Sequence, residues 1–287
     1  MTEQRKEKIT IPTLYAMKAK GEPISWLTAY DFPIAQLEEQ AGIEMILVGD
    51  SASMVVHGNE STLPITMDIM IAHAKAVRKG APTSFVIGDM PFMSYHASAE
   101  DAVRNAGRFM KEAGCDAIKL EGGVRIADKV KAIVDAGIPV MGHIGLTPQS
   151  SAMLGGFKVQ GKDAESARKM IEDAKALEKA GVFGMLLECV PTKVTQIIKQ
   201  SVSVLIFGIG AGPGCDGQIL IIHDILGLYP CFTPKFVRQY ANLSPVILDA
   251  LKKYKDEVRT KKFPAKEHEF AIKEEELKKL EEVLKRG

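Results

Sequence analysis

The chain has 287 residues, of which 46% are hydrophobic and 25% charged, and its formal net charge is +1. That length and composition allow one large core, since α/β barrels reach this size as single units. The nearly neutral charge excludes a general basic field for nucleic acid, and no apolar run is long enough for a membrane helix.

Eight short apolar runs recur along the chain, and each ends in polar residues or glycine. In order they are SWLTAYD, MILVGDS, SFVIGDM, AIKLEGG, PVMGHIG, GMLLECV, VLIFGIGAG and QILIIHD. Longer segments of helical spacing lie between them, such as residues 99–114 and 163–181, and both close on a glycine as helices do. Eight strand–helix alternations predict a (β/α)8 TIM barrel. A doubly wound open sheet is the alternative, disfavoured because no GxGxxG motif opens the first unit.

The fourth run, DAIKLEGG, carries two opposite charges inside an apolar strand pattern. Residues two apart on a strand point to the same side, so Lys119 and Glu121 face one way while Ile118 and Leu120 face the other. Burying a charged pair is costly unless the pair is well bonded. The pattern therefore predicts either a structural ion pair or a functional site at the end of this strand.

The C-terminal part of the chain differs in composition, because lysine and glutamate dominate it from about Lys252. Its last segment, EEELKKLEEVLKRG, places Leu277, Leu280 and Leu284 on one helical face. We therefore predict a catalytic barrel with its N-terminal segment over residues 1–251. We also predict a charged helical tail over residues 252–287, packed on the barrel or on a neighbouring subunit.

Ionisable side chains follow successive predicted strands at the end where barrel enzymes place their active sites. They are Asp50 with Ser51, Asp89, Lys119 with Glu121, His143 and Glu188. Neighbouring carboxylates repel one another, and a cation relieves that repulsion. The all-oxygen set Asp50, Asp89 and Glu121 suits a hard ion such as Mg²⁺ rather than zinc.

A metal site of this kind has chemical consequences for the substrate. Mg²⁺ keeps open positions that the adjacent oxygens of an α-keto acid could fill, and it would then stabilise an enolate. Lys119 and His143 would neutralise or hydrogen-bond the bound anion. Glu188 lies outside the metal set in an apolar strand, where burial makes a carboxylate more basic, so it suits a general base for a C–H proton.

Two further features bear on function and on location. The glycine-rich GIGAG, residues 208–212, fits a phosphate-binding loop and a tight turn equally well. The four cysteines are scattered without a CxxC pair, which suggests neither zinc nor disulfides. Together with a charged N-terminus that lacks a signal-peptide pattern, this predicts a cytoplasmic protein.

Several blocks, taken in order, resemble the ketopantoate hydroxymethyltransferase family. They are LVGDS, GDMPFMSY, DAIKLEGG, PVMGHIGLTPQS, GGFKVQGK, LLECVP and GIGAG, and the likeness extends over residues 8 to about 270. The chain departs from the family at strand seven, where proline is expected near Leu205 and a small aliphatic residue at Phe207. The tail beyond about Phe270 is longer than the family pattern.

The resemblance implies a (β/α)8 barrel of the phosphoenolpyruvate mutase/isocitrate lyase superfamily, and a hydroxymethyl transfer. The donor would be 5,10-methylenetetrahydrofolate, the acceptor 3-methyl-2-oxobutanoate and the product 2-dehydropantoate, a precursor in pantothenate biosynthesis. The enzyme would depend on Mg²⁺ and form a homo-oligomer, commonly a decamer.

The resemblance also implies a role for each matched residue. Asp50 and Asp89 match the metal ligands, with Asp89 also near the substrate, and Glu121 matches an acidic residue at the metal, bound directly or through water. Ser51 and Lys119 match substrate contacts. His143 matches a polar active-site residue, and Glu188 matches the proton acceptor.

Three other functions remain open at the level of sequence. Another Mg²⁺-dependent α-keto acid lyase or aldolase of the same superfamily would use similar residues. A Schiff-base aldolase would use Lys119 as its nucleophile, although Glu121 beside it would keep the ammonium protonated. A non-catalytic ligand-binding barrel should lack a base or a metal ligand, and none is missing from this sequence.

Overall fold

Eight parallel strands close into a barrel in the computed structural model, which describes residues 7–229 and 233–286. Each strand pairs with the next in chain order, and β8 pairs with β1, which confirms the predicted TIM barrel. All eight apolar runs form strands. They are β1 Ile24–Thr28, β2 Met45–Val48, β3 Phe85–Asp89, β4 Ala117–Glu121, β5 Val140–Gly145, β6 Gly184–Glu188, β7 Leu205–Ile209 and β8 Gly217–Leu220.

Helices alternate with these strands along the chain. They are α1 Ile11–Lys20, α2 Phe32–Ala41, α3 Ala52–Val55, α4 Met67–Gly80, α5 Ala99–Arg108 with a π-helical end Phe109–Ala113, α6 Ala127–Asp135, α7 Ser151–Leu154, α8 Ala164–Ala180, α9 Thr192–Ser201 and α10 Ile222–Ile225. The two long helical segments end where the sequence predicts, at Gly114 and Gly181, which have φ values of 69° and 98°. Asp163 caps the start of α8 by accepting a hydrogen bond from the amide of Ser166.

One repeat differs from the predicted alternation, because residues 210–216 connect β7 to β8 without a helix. The GIGAG motif makes this turn, and Gly210 and Gly212 adopt φ values of 63° and 83°. A Cβ atom on Gly212 would lie 2.4 Å from the hydroxyl of Thr192. Positive φ and close approach both require glycine here, which favours the tight-turn alternative for this motif.

Apolar side chains pack on both sides of the barrel wall, in an inner and an outer layer. The inner layer includes Trp26 and Phe207, whose ring centroids lie 5.1 Å apart with a T-shaped geometry, so the unexpected phenylalanine of strand seven fills the barrel interior. The outer layer packs Ile118 and Leu120 of β4 against the helices. Strand β4 therefore alternates as predicted, and its charged residues face the interior.

The chain divides into two compact units, Met1–Tyr240 and Ala241–Gly287. The second unit contains α11 Ser244–Arg259 and α12 Glu274–Lys285, and a short 3₁₀ turn, Lys266–His268, lies between them. The predicted C-terminal helix is therefore confirmed, whereas the domain boundary at residue 251 and the docking of the tail stay predictions. No helix among the described residues is long and apolar enough to cross a membrane.

Candidate active site

A cavity of about 430 Å³ lies at the carboxyl ends of the strands. Its wall contains apolar side chains from the inner barrel layer, including Leu186, Ile209 and Ile219. All seven site residues predicted from the sequence also line it: Asp50, Ser51, Asp89, Lys119, Glu121, His143 and Glu188. The structure therefore brings together side chains that are spread over almost half of the chain.

Strand register explains why these side chains meet. Asp89 of β3 lies opposite Lys119 of β4, and Glu121 of β4 lies opposite His143 of β5. Opposed residues of parallel strands point to the same face, so each pair shares the barrel interior. Glu188 ends β6 one strand further round, which brings it to the same cavity wall.

Lys119 lies within the acidic cluster, almost completely buried. Its ammonium donates a hydrogen bond to Asp89 Oδ1 at 2.6 Å, and it lies 3.5 Å from Glu121 Oε1. Burial alone would lower the pKa of Lys119, but the charges of Asp89, Glu121 and Asp50 raise it well above its usual range. A lysine that holds its proton so firmly is a poor nucleophile, which disfavours the Schiff-base alternative.

The two aspartates lie side by side at the ends of β2 and β3. The backbone amide of Asp50 donates to Asp89 Oδ2 at 3.0 Å, and both carboxylates are buried. Burial, followed by the charges of Asp89 and Glu121, raises the pKa of Asp50 well above its usual value. The cluster thus has more negative charge than Lys119 compensates, and a further cation would stabilise the ionised carboxylates.

His143 lies between two glutamates. Its Nδ1 is 3.4 Å from Glu121 Oε1, and its Nε2 is 3.3 Å from Glu188 Oε2. Burial and the charge of Lys119 oppose protonation, but contacts with both glutamates raise the pKa of His143 to about 9. Among the described residues, none makes a well-aligned hydrogen bond to Glu121 Oε1, which has only the longer contacts with His143 and Lys119.

A buried glutamine that was not among the predicted site residues bridges the cluster. The Gln149 side-chain amide donates to Asp50 Oδ2 at 2.9 Å and to the carbonyl of Met90 at 3.0 Å. Its backbone amide donates to Glu121 Oε2 at 2.9 Å, and its side-chain oxygen accepts from the Tyr95 hydroxyl at 2.7 Å. Tyr95 thereby fixes the amide orientation so that nitrogen faces Asp50. Both residues lie in blocks that the family resemblance used, but their partners are distant in sequence.

We expect Gln149→Leu to lower the free energy of unfolding by about 1–3 kcal/mol for each buried group left without a partner, Asp50 Oδ2 among them. The variant should also bind Mg²⁺ more weakly, because Asp50 loses its support. Thermal unfolding with and without Mg²⁺ measures both effects. Gln196→Leu, on the exposed face of α9, is the matched control. Equal stability of the two variants would contradict a positioning role for Gln149.

Two other polar contacts at the cavity were also missed. The Tyr30 hydroxyl lies 2.8 Å from Ser51 Oγ, so it fixes the position of a predicted substrate contact. Asp224 lines the cavity just beyond β8, and burial raises its pKa to about 6. Asp224 could have been predicted from its position, because it ends the eighth apolar run and residues at strand ends line the cavity.

A divalent metal ion fits this donor set in one particular way. Among the described residues, no three His, Cys, Asp or Glu side chains converge closely enough to bind one ion together. Mg²⁺ needs fewer protein ligands, because it keeps several waters and usually binds one or two carboxylates. Asp50 and Asp89 could therefore ligate the ion directly, with Glu121 Oε1 reached through water.

The barrel and its charged cluster define the class of this protein: a (β/α)8 enzyme with its polar groups at the carboxyl ends of the strands. A family model described as ketopantoate hydroxymethyltransferase matches residues 8–266. The chain belongs to this family, and it is a transferase, as the resemblance predicts.

Individual relatives agree with this assignment. The 3-methyl-2-oxobutanoate hydroxymethyltransferase of Syntrophomonas wolfei is 57% identical over 273 residues, which cover 95% of this chain and 99% of that protein. The protein of the same name from Moorella thermoacetica is 55% identical over 266 residues, covering 93% and 99%.

Solved structures agree on the fold. Phosphonopyruvate hydrolase in complex with oxalate and Mg²⁺ superposes with a TM-score of 0.59 at 13% identity, over 96% of this chain and 97% of that chain. The 2,3-dimethylmalate lyase of the PEP mutase/isocitrate lyase superfamily gives a TM-score of 0.58 at 17% identity, over 98% of both chains. These likenesses confirm the predicted (β/α)8 fold.

Proposed function

We propose that this enzyme transfers a hydroxymethyl group from 5,10-methylenetetrahydrofolate to 3-methyl-2-oxobutanoate, giving 2-dehydropantoate for pantothenate biosynthesis. The observation that carries the proposal is the convergence on one cavity of all seven residues to which the resemblance assigns a role. The relatives described above are named for hydroxymethyl transfer to 3-methyl-2-oxobutanoate, and they match the chain over nearly its full length.

The metal is proposed to be Mg²⁺, held by Asp50 and Asp89 with Glu121 in support. The crowding of Asp50, Asp89 and Glu121 around the single ammonium of Lys119 supports this assignment. When bound, the ion would act as a Lewis acid toward charge developing on the keto oxygen, an effect of several kcal/mol.

The substrate anion is proposed to lie beside Lys119, Ser51 and His143. Lys119 supplies a buried positive charge for the keto-acid carboxylate, and a charge-assisted hydrogen bond of this kind is stronger than a neutral one. The Ser51 hydroxyl, positioned by Tyr30, can donate to the same anion. The apolar wall formed by residues such as Leu186 and Ile219 suits the branched alkyl end of the substrate.

Glu188 is proposed to remove the proton from C3 of the substrate. It ends β6 at the cavity wall, and 17% of its side chain is exposed, whereas the other charged groups of the cluster are almost fully buried. A base with this access can accept a proton from the substrate and pass it to solvent. His143, in contact with its carboxylate, holds Glu188 in place and balances its charge.

We also propose that the enzyme is cytoplasmic and forms a homo-oligomer. Cys115, Cys189 and Cys215 are free thiols, which suits the reducing cytoplasm. A homo-oligomer, a decamer on the family resemblance, would cover apolar residues that α11 exposes, such as Leu251 and Tyr254.

The decisive experiment follows exchange of the C3 proton of 3-methyl-2-oxobutanoate in D₂O by proton NMR, without folate. Exchange should stop in EDTA and resume with Mg²⁺, and Asp50→Ala or Asp89→Ala should lower both exchange and Mg²⁺ affinity. Adding 5,10-methylenetetrahydrofolate should then yield 2-dehydropantoate. Full exchange in EDTA, with borohydride trapping an adduct on Lys119, would support a Schiff-base aldolase instead. Binding of keto acid without exchange would indicate a non-catalytic barrel.

A further inference from the structure

Two histidines outside the active-site cavity meet through their ring nitrogens. His57 lies in the segment between β2 and α4, and His73 lies on α4. Their Nε2 atoms are 2.9 Å apart, and the ring planes meet at 73°. His57 is exposed and His73 is half-buried, so the space around the two nitrogens is open to solvent. The function proposed above does not use either residue.

A backbone contact fixes the tautomer of His73. Its Nδ1 lies 2.6 Å from the carbonyl oxygen of Tyr30. A carbonyl can only accept, so Nδ1 carries the hydrogen and the neutral ring has its lone pair on Nε2. Histidine ligands of metal ions usually donate their other ring N–H to a carboxylate, a backbone carbonyl or water, and the contact with Tyr30 is of this kind. The lone pair of His73 Nε2 therefore accepts the hydrogen bond that His57 Nε2 donates in the ion-free pair.

The separation of the two nitrogens indicates which kind of ion fits. Two nitrogens bound to one ion at about 2.0–2.1 Å lie about 2.9 Å apart at a right angle and about 3.3 Å apart at the tetrahedral angle. The observed 2.9 Å is the hydrogen-bond distance of the ion-free pair, and it also equals the separation of adjacent positions in a square-planar or tetragonal complex. Imidazole ligands in that geometry are typical of Cu²⁺ and Ni²⁺.

We infer that His57 and His73 form a binding site for a tetragonal divalent transition-metal ion, Cu²⁺ or Ni²⁺, distinct from the carboxylate cluster. On binding, the hydrogen of His57 moves from Nε2 to Nδ1 through solvent, and both Nε2 lone pairs then point to the ion. Among the described residues no third His, Cys, Asp or Glu completes the site, so water fills the remaining positions.

The site links a cavity-lining segment to a helix. Residues between β2 and α4 that line the active-site cavity include Ser51, Met54 and Thr62. An ion held by His57 and His73 would fasten this segment to α4, which in turn is fixed to the end of β1 through the Tyr30 carbonyl. Binding should therefore stabilise the folded protein by mass action, since the unfolded chain does not hold the two rings together.

Calorimetric titration of the untagged full chain with Ni²⁺, in the presence of saturating Mg²⁺, tests the site. The parent protein should bind one Ni²⁺ per chain, and His57→Gln should lose at least about tenfold in affinity. His57 is exposed, so this variant should fold. His268→Gln, at a histidine of the second unit, is the matched control and should bind like the parent. Asp50→Ala should also retain the Ni²⁺ site, which separates it from the carboxylate cluster.

A thermal shift gives a second reading of the same variants. Ni²⁺ should raise the unfolding temperature of the parent and of His268→Gln, and it should raise that of His57→Gln much less. Equal Ni²⁺ affinity in the parent and in His57→Gln would overturn the inference, and so would the absence of binding by the parent at millimolar Ni²⁺. Either result would leave the two histidines as a hydrogen-bonded pair only.

Discussion

Glu188→Gln should slow exchange of the C3 proton of 3-methyl-2-oxobutanoate by about 10²–10⁴, the usual contribution of a positioned general base. Glutamine keeps the shape of the side chain and can still hydrogen-bond His143, whose Nε2 lies 3.3 Å from Glu188 Oε2. It cannot accept the substrate proton. The variant should therefore fold, bind Mg²⁺ and bind the keto acid while losing most of the exchange rate.

Proton NMR in D₂O measures this step alone, because exchange needs no folate. Glu100→Gln is the matched control, since it makes the same chemical change at an exposed residue in the first turn of α5. The control should exchange at the parent rate. An exchange rate in Glu188→Gln within a few fold of the parent would contradict the role of Glu188.

Asp224 is the alternative base that such a result would indicate. It lines the same cavity, and burial raises its pKa to about 6, a value suited to proton transfer near neutral pH. Asp224→Asn should therefore be measured beside Glu188→Gln. A large loss of exchange in Asp224→Asn alone would move the general base to that residue.

Much of this architecture follows from local pattern. The eight apolar runs fix the strands because a buried parallel strand reads as a short continuous apolar stretch. The same pattern makes the charges of β4 recognisable. Lys119 and Glu121 interrupt a continuous apolar stretch on one face of the strand, and this can be seen from the sequence alone. Strand order in a barrel then brings consecutive strand ends to one cavity.

The remaining features depend on contacts between distant parts of the chain. The hydrogen bond from Gln149 to Asp50 and that from Tyr95 to Gln149 join residues of different strand–helix units. No periodicity encodes them, since each depends on how two loops meet. The absence of a helix between β7 and β8 also depends on a distant contact. The GIGAG turn connects these strands directly, and its Gly212 packs closely against Thr192 of α9. The positions of the charged residues can therefore be predicted from the sequence, but the hydrogen bonds that hold their side chains cannot.

The alternatives posed by β4, a structural ion pair or a functional site, are not exclusive. Lys119 is bonded to Asp89 at 2.6 Å, so in the absence of metal and substrate it balances part of the charge of the cluster. The proposed function gives the same ammonium a second task, holding the substrate carboxylate. A single substitution can separate these two tasks, because one acts on folding and the other on binding.

Lys119→Met should lower the free energy of unfolding in EDTA by about 3–5 kcal/mol, because removing one partner of a buried ion pair leaves uncompensated charge. Mg²⁺ should restore part of this loss, since the ion binds only the folded cluster. The variant should bind Mg²⁺ more tightly than the parent, because the ammonium no longer repels the ion or occupies Asp89 Oδ1. Keto acid, measured at saturating Mg²⁺, should bind more weakly by about 1.5–3 kcal/mol.

Lys199→Met is the matched control, because Lys199 pairs with a buried carboxylate outside the cavity, Asp216 Oδ1 at 2.7 Å. Asp216 also lies 3.4 Å from Lys18, so it keeps a cation when Lys199 is removed. The control should lose little stability and should bind Mg²⁺ and keto acid like the parent. Denaturant unfolding and calorimetry measure the four quantities. If Lys119→Met loses stability but binds keto acid as tightly as the parent, Lys119 is a structural ion-pair member, and the substrate anion must be held by Ser51 and His143 alone.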